Sequence, residues 1–393
     1  MPNLWTIAMW VKTPLIKEWD NLVQIVVDSL LEASKKNNFS IQNNDVLAIT
    51  EAVVSICQGN YATIDDIAQD ILNKFKSEHI WILFPILSRN RFAGILKAVA
   101  RACKKITIQL SYPFDEVGNG ILYEEDLKRL KVNPYSDLID EKKYQTNFSW
   151  YRHPFTGLNM VDYYRNLCQN ENCEIEIILS NTPEDILKYT KNILVSNVHN
   201  REKIKKILLN QEHEKILWLD EILNQKTDKH WYNETFWLLW TNLATDQRLK
   251  LFPHFNDPVV NQIKNEIKKL TNKDIHVMIY GDGAFKDPVG WIWELADPVI
   301  SPSYTEGLKG SPNEIKLKYL IDKNSNKSKE DLQKIIQKEI SLKTNSQTEQ
   351  NKLGTTPRRY IDLLGSLSDL VSGSGEKGTP VVYIQNYFKW YSS

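Results

Sequence analysis

Cysteine and net charge are both scarce in this chain, and each shortage removes a class of function. Four cysteines, Cys57, Cys103, Cys168 and Cys173, cannot build a disulfide framework for 393 residues, which is the usage of a reducing compartment. Cys168 and Cys173 stand five apart, but no second pair with ligand spacing joins them. Free buried thiols are therefore expected rather than a cysteine-held metal. Lysine plus arginine equals aspartate plus glutamate, at 49 each. A neutral chain has no bulk field to hold a polyanion, so nucleic acid is not expected as a partner. No apolar run reaches the roughly 18–20 residues of a membrane span. The first residues, MPNLWTIAMWVKTP, are apolar but lack a basic n-region and a small-residue cleavage site, so they do not read as a signal peptide. The expected location is cytoplasmic, with no membrane partner. HExxH, GxSxG and the kinase motifs are also missing, and the seven histidines show no pairing that singles out a thiol.

What is there is an alternation of short apolar runs and amphipathic stretches. Strands are expected at 4–11, from 45, at 80–87 and at 105–113, and helices at 20–38, 63–79 and 91–103. Asp20 is the expected N-cap of the first helix, and the 63–79 helix has acids early and lysines late, as its dipole prefers. This alternation predicts an α/β layer over residues 1–113. Residues 120–255 are richer in tyrosine, tryptophan and charge; one strand is expected at 173–180, followed by a long helical stretch over 183–250. A strand at 275–280 then returns to the α/β pattern. Residues 323–352 are strongly polar with an exposed helix in the middle, and 356–388 read as helix, glycine-rich turn and strand.

The densest chemistry follows the 275–280 strand, in GDGAFKDPVGWIWELADPVISP at 281–302. In open α/β sheets ligands collect beyond the carboxyl ends of strands. Asp282 lies between Gly281 and Gly283, which let the backbone approach a ligand. Asp282, Asp287, Glu294 and Asp297 offer hard oxygen donors suited to Mg2+ or Mn2+, above all when phosphate supplies further ligands. The alternative is that Asp287-Pro288 and Asp297-Pro298 simply start turns. Trp291 and Trp293 are expected as core anchors. Next, Ser303, Thr305 and Glu306 can line a polar site; the competing reading is a capped loop with Ser311 as N-cap and Glu314 completing a capping box. SGSGEKGTP at 372–380 is glycine-rich but follows a helix, whose C-terminus has the wrong dipole sign for an anion, and it lacks GK[ST]. Arg89 and Arg91, in SRNRF, follow a strand and present forked guanidinium groups for carboxylate or phosphate. Asp115, Glu116 and Asn119, in SYPFDEVGN, follow the next strand and are expected at the same sheet edge, with 281 as a third contributor. His153 reads as a turn histidine.

These segments carry a resemblance. KTPLIKEWDNLVQIVVDSL with DVLAITEAVVSICQGNY resembles the opening of the coenzyme F-420 gamma-glutamyl ligase family, in its longer bacterial form. TPRRYIDLLGSLSDLVSGSGEKGTPVVYIQ resembles its closing helix, with Asp362 and Gly373 at the family's aspartate and glycine. The resemblance covers about 10–119 and 275–388. It implies an α/β (mixed α+β) ligase-like core, 1–119 with 272–393, and a mostly helical insertion at 120–271. It also implies transfer of the γ-phosphate of GTP (or ATP) to a substrate carboxylate, with Mg2+ or Mn2+, and attack of glutamate on the acyl phosphate; a folate-like or other carboxylate acceptor is the substitute for F-420. Asp282 corresponds best to the metal-binding aspartate, with Asp287 and Asp297 as further ligands. Gly281, Gly283, Arg89, Arg91, Ser303 and Thr305 are expected at nucleotide phosphate, and Asp115, Glu116 and Asn119 at the substrate. A homodimer is expected. No catalytic acid or base is identified. Ala52 and Ile56 stand where the family commonly has lysines, and Gly281-Asp282-Gly283 where it commonly has SDT. The alternative function is a non-catalytic nucleotide-binding or interaction protein that kept the fold.

Overall fold

The computed structural model describes residues 5–154, 156–197, 200–227, 230, 232, 238, 241–254, 258–281, 300–310, 317–342, 359–372 and 380–389. The chain begins with β1 (Ile7–Val11), α1 (Leu22–Lys36), β2 (Val46–Thr50), α2 (Glu51–Cys57), β3 (Tyr61–Thr63), α3 (Ile64–Phe75), β4 (His79–Leu83), α4 (Phe92–Ala102) and β5 (Lys105–Leu110). Three helices follow, α5 (Glu124–Leu130), α6 (Glu141–Asn147) and α7 (Met160–Asn170). Then come β6 (Glu174–Leu179), β7 (Asn192–Val195), α8 (Arg201–Leu209), β8 (Lys215–Trp218), β9 (Asn242–Thr245) and β10 (Arg248–Lys250). The last part holds α9 (Pro258–Thr271), β11 (His276–Gly281), β12 (Ile300–Tyr304), α10 (Leu317–Lys323), α11 (Lys329–Leu342), α12 (Tyr360–Ser372) and β13 (Val381–Gln385). The mixed α/β class expected from the pattern is what forms.

Two compact units divide the chain. One comprises 1–54, 255–283 and 298–393; the other comprises 55–254 and 284–297. The first unit is built on a five-stranded mixed sheet in the order β1-β13-β2-β11-β12, where only β2 and β11 run parallel. Alternation sorts its residues by face. Val46, Ala48, Met278, Tyr280, Val382 and Ile384 pack with Ile361 and Leu364 of α12. Their neighbours Leu47, Ile49, Val277, Ile279 and Val381 are fully buried on the opposite side, which α1 and α9 cover. α1 is capped by Asn21, whose side chain accepts from the Gln24 amide. The expected cap, Asp20, instead closes the preceding turn by accepting from the Lys17 amide.

The second unit holds a three-stranded antiparallel sheet, β3-β10-β9, and a five-stranded sheet in the order β6-β5-β4-β7-β8. Every pair in the latter is parallel. β4, β7 and β8 are near-continuous apolar runs, as in buried parallel sheets, whereas Thr107 and Gln109 interrupt β5 and Glu174 and Glu176 interrupt β6. Trp81, Leu83, Ile178, Ile193 and Val195 pack with Ile204 and Leu208 of α8 and with Ile186.

Two expectations change here. Residues 1–113 do not form one layer: β1 and β2 join the first sheet, whereas β4 and β5 lie in the parallel sheet of the other unit. The division falls inside α2, between Val54 and Ser55, not at the composition change near 119/120. Residues 183–250 are not a long helix. β7, α8, β8, β9 and β10 occupy them, and NILV and KILW are runs too short to separate from helical periodicity without their partner strands. The 120–271 segment is therefore not mostly helical.

Candidate functional site

In the first unit the parallel pair β2 and β11 delivers two chain segments to one carboxyl edge. Thr50 lies opposite Tyr280, and the next residues are Glu51 and Gly281. Glu51 opens α2 and is only 3% exposed. A carboxylate in the first turn of a helix is favoured by the dipole. This buried acid escaped the sequence reading because EAVVS looks like an ordinary helix start; only the strand register reveals its neighbour. Gly281 ends β11 and pairs with Ile300 of β12. Asp282, Gly283, Asp287 and Asp297 lie outside the described residues, as do Trp291, Trp293, Glu294, Ser311, Asn313, Glu314, Lys316 and residues 373–379.

Ser303 and Thr305 are buried on the β12 side of the same sheet. Ser303 stands opposite Ile279. The Thr305 hydroxyl accepts from the Val277 amide at 3.1 Å, and the Thr305 amide donates to the Val277 carbonyl at 2.9 Å. That side chain therefore closes the β11–β12 pairing. At the other edge of the sheet, Asp45 accepts from the Tyr383 hydroxyl, from the Gln42 amide at 2.8 Å and from the Asn386 amide at 3.1 Å. Burial, aided by the Asp45 carboxylate, holds the Tyr383 phenol far above its ordinary range. Nearby, the His276 ring sits edge-on to Phe388 and directly over Gly307, where an added Cβ would meet its Cε1 at 2.1 Å. Burial and then Lys264 lower its pKa, so the ring is held neutral.

In the second unit the β4 and β5 exits lie side by side. Asp115 is the knot between them. Its Oδ2 accepts from the Leu87 amide at 2.8 Å and from Asn119 Nδ2 at 3.1 Å. Its Oδ1 accepts from the amides of Val117 and Asn119 at 3.0 and 2.8 Å. Burial raises the Asp115 pKa, and these donors oppose the rise. Gly118 takes φ +91 inside this loop, a conformation that L side chains rarely adopt. The carboxylate is thus used up in holding the 113–119 loop against the segment after β4. Arg89 is exposed there, Glu116 half-buried, and Arg91 is 4% exposed at the N-cap of α4. Its amide donates to Ser88 Oγ at 3.1 Å.

The structure therefore brings Arg89, Arg91, Asp115, Glu116 and Asn119 to one edge of the parallel sheet, as expected. It does not add 281 to that edge, because β11 belongs to the other sheet. His153 sits in a turn, its Nδ1 accepting from the Thr156 amide at 3.2 Å. None of the four cysteines is in a disulfide; Cys168 and Cys173 are buried and Cys57 and Cys103 half-buried. A hydrogen bond with Cys173, together with burial, holds the Cys103 thiol protonated. Among the described residues no three histidine, cysteine, aspartate or glutamate side chains gather to hold a metal, and no helix is long and apolar enough to cross a membrane.

The mixed sheet, the carboxyl edge at Glu51 and Gly281, and the closing helix α12 with β13 are all parts of the segments that carried the resemblance. No curated protein matches the chain. A family model described as F420-0:gamma-glutamyl ligase matches residues 10–386, running through 120–271 as well as the two end segments. The match spans both units, and the chain belongs to the F420-0:gamma-glutamyl ligase family, whose members are ligases that form gamma-glutamyl bonds.

Proposed function

We propose that this ligase is nucleotide- and metal-dependent and joins glutamate to a carboxylate acceptor through an acyl phosphate. The observation that carries the reading is the family match over nearly the whole chain. An oxygen of the acceptor carboxylate attacks the γ-phosphorus of GTP or ATP, and the nucleoside diphosphate leaves. The glutamate amine, having lost a proton, attacks the acyl carbon, and inorganic phosphate leaves. Little covalent work falls to the protein; positioning and charge neutralisation carry the rate.

The donor chemistry suits a hard divalent cation. Glu51 is a buried carboxylate at the exit of β2, and Asp282 follows Gly281 in the chain. Asp282, with Glu51 at the exit of β2 and Asp287 and Asp297 as further candidates, would hold Mg2+ or Mn2+. When bound, such an ion supplies Lewis-acid neutralisation of phosphate charge. Gly281, Gly283 and Ser303 would line the phosphate path, and Arg89 and Arg91 would serve phosphate in the second unit. Glu116 and Asn119 would meet substrate there, with Asp115 as the residue that positions their loop. The acceptor is F-420-like, folate-like or another small carboxylate, and the working form is a homodimer.

The test is turnover of GTP and ATP with Mn2+ or Mg2+, with and without glutamate and candidate carboxylates, paired with calorimetric nucleotide binding. Metal-dependent binding and glutamate-stimulated phosphate release are expected. Absence of any metal-dependent nucleotide binding overturns the reading. Binding without turnover favours the non-catalytic alternative, which Ala52 and Ile56 support. Asp282→Asn should abolish metal-dependent binding while leaving the melting temperature nearly unchanged; a large loss of stability with binding intact would make it a turn residue.

A further inference from the structure

Two cysteines meet at the amino-terminal end of the parallel sheet, the end away from Asp115, and the ligase reading uses neither. Cys103 stands between α4 and β5, and Cys173 between α7 and β6. Two contacts in register bracket them. Two residues before each cysteine, Arg101 Nε donates to Glu171 Oε2 at 2.7 Å. One residue after each, the Glu174 amide donates to the Lys104 carbonyl at 2.9 Å. Lys105 and Glu174 then open the β5–β6 pairing. Between these ties the Cys103 and Cys173 thiols hydrogen-bond to each other.

The backbone around the pair is fixed. Asn172 takes φ 58°, a left-handed turn that asparagine tolerates, and carries the chain from α7 to Cys173. The Cys173 amide donates to the Cys168 carbonyl at 3.1 Å. Lys97 adds a second cation to Glu171 at 3.4 Å, so α4 grips the end of α7 at two points. Cys103 Sγ lies 3.2 and 3.3 Å from the carbonyl oxygens of Val99 and Lys105.

The thiols are unequal. The hydrogen bond from Cys103 lowers the pKa of Cys173, against burial and the Glu174 carboxylate. The same bond, with burial, keeps Cys103 protonated. Cys168 is fully buried, and burial pushes its thiol up. A thiolate attacks oxidants, and a thiol beside it resolves the product. Cys173 is itself buried, but Cys103 is half-buried and Lys104, Asn172 and Glu174 are exposed. The pair thus lies just beneath the surface, within reach of an oxidant as small as hydrogen peroxide.

We propose that peroxide oxidises Cys103 and Cys173 to a reversible disulfide that staples the end of α4 to the start of β6. The Cys173 thiolate attacks a peroxide oxygen; an S–O bond forms, the O–O bond breaks and hydroxide leaves. Cys103 gives its proton to that hydroxide and attacks the Cys173 sulfur. The S–S bond forms as the S–O bond breaks, and a second hydroxide leaves to take a proton from solvent. The two sulfurs lose two electrons and the peroxide gains them. The loop so closed holds the 113–119 loop and α5 to α7, and such a bridge restrains the unfolded chain over a long span.

The test treats the full reduced chain with a few equivalents of hydrogen peroxide, alkylates the remaining thiols and maps the peptides by mass. A Cys103–Cys173 peptide pair within one chain is expected, released by dithiothreitol. In Cys103→Ser, dimedone should label the Cys173 sulfenic acid, which has lost its partner. In Cys173→Ser, Cys103 should take about tenfold less dimedone, because it keeps its proton. No disulfide, a disulfide through Cys57 or Cys168 instead, or equal dimedone labelling in the two variants overturns the proposal. The mapping of the unaltered chain stands whether or not the variants fold, and it is independent of ligase turnover.

Discussion

Asp115 illustrates how a residue with the right chemistry for a ligand can be spent on the scaffold. Four donors converge on its two oxygens. Asp115→Asn would turn one oxygen into a donor facing other donors, so a loss of about 1–3 kcal/mol is expected, read from the denaturation midpoint. A neutral result would mean the loop is held by other contacts. His276 makes the complementary case for pH. Its folded pKa lies below the ordinary 6.5, with Lys264, Asp274, Phe388 and Gly307 around it. The unfolded chain therefore binds the proton first on acidification, and stability falls as pH drops below about 6.5. His276→Phe keeps the ring and should flatten that decline in melting temperature between pH 7 and pH 5.5. An unchanged slope would assign the decline to other groups.

At the scale of elements, short-range signals decide where helices start and strand partners decide which sheet they serve. Thr63 caps α3 by accepting from the Asp66 amide at 3.1 Å, while the Asp66 side chain accepts from the Thr63 amide at 3.0 Å. Thr63→Ala breaks this reciprocal box, and about 1 kcal/mol of stability should go with it. A melting temperature equal to the parent's would show that the β3–β10 pairing alone fixes the start of α3. The strands β7 and β8 were not legible, because three consecutive apolar residues fit either period until β4 supplies a partner for β7.

At the scale of the molecule, two compact units share no sheet, the first carrying one and the second two, and each has its own buried core. Units of this kind are expected to unfold in separable steps, since two-state behaviour holds best for single domains. Scanning calorimetry should resolve two transitions; one transition with equal calorimetric and van't Hoff enthalpies would show a single cooperative block. The expected boundary near 119/120 followed a change of composition. Composition shifts do not mark sheet membership, and the chain changes unit within α2 instead.

The sequence by itself determined the strands that alternate with amphipathic helices in the first 113 residues, the acidic glycine motif after β11, and the family. Those signals are local, carried by periodicity and short motifs. Only the tertiary structure decided that β2 and β11 are neighbours with Glu51 at their shared edge, that Asp115 and Thr305 hold loops and strands, and that β4 to β8 form one parallel sheet. Those facts depend on hydrogen-bonded pairing between segments far apart in the chain, and strand pairing leaves no local trace in the residues that make it.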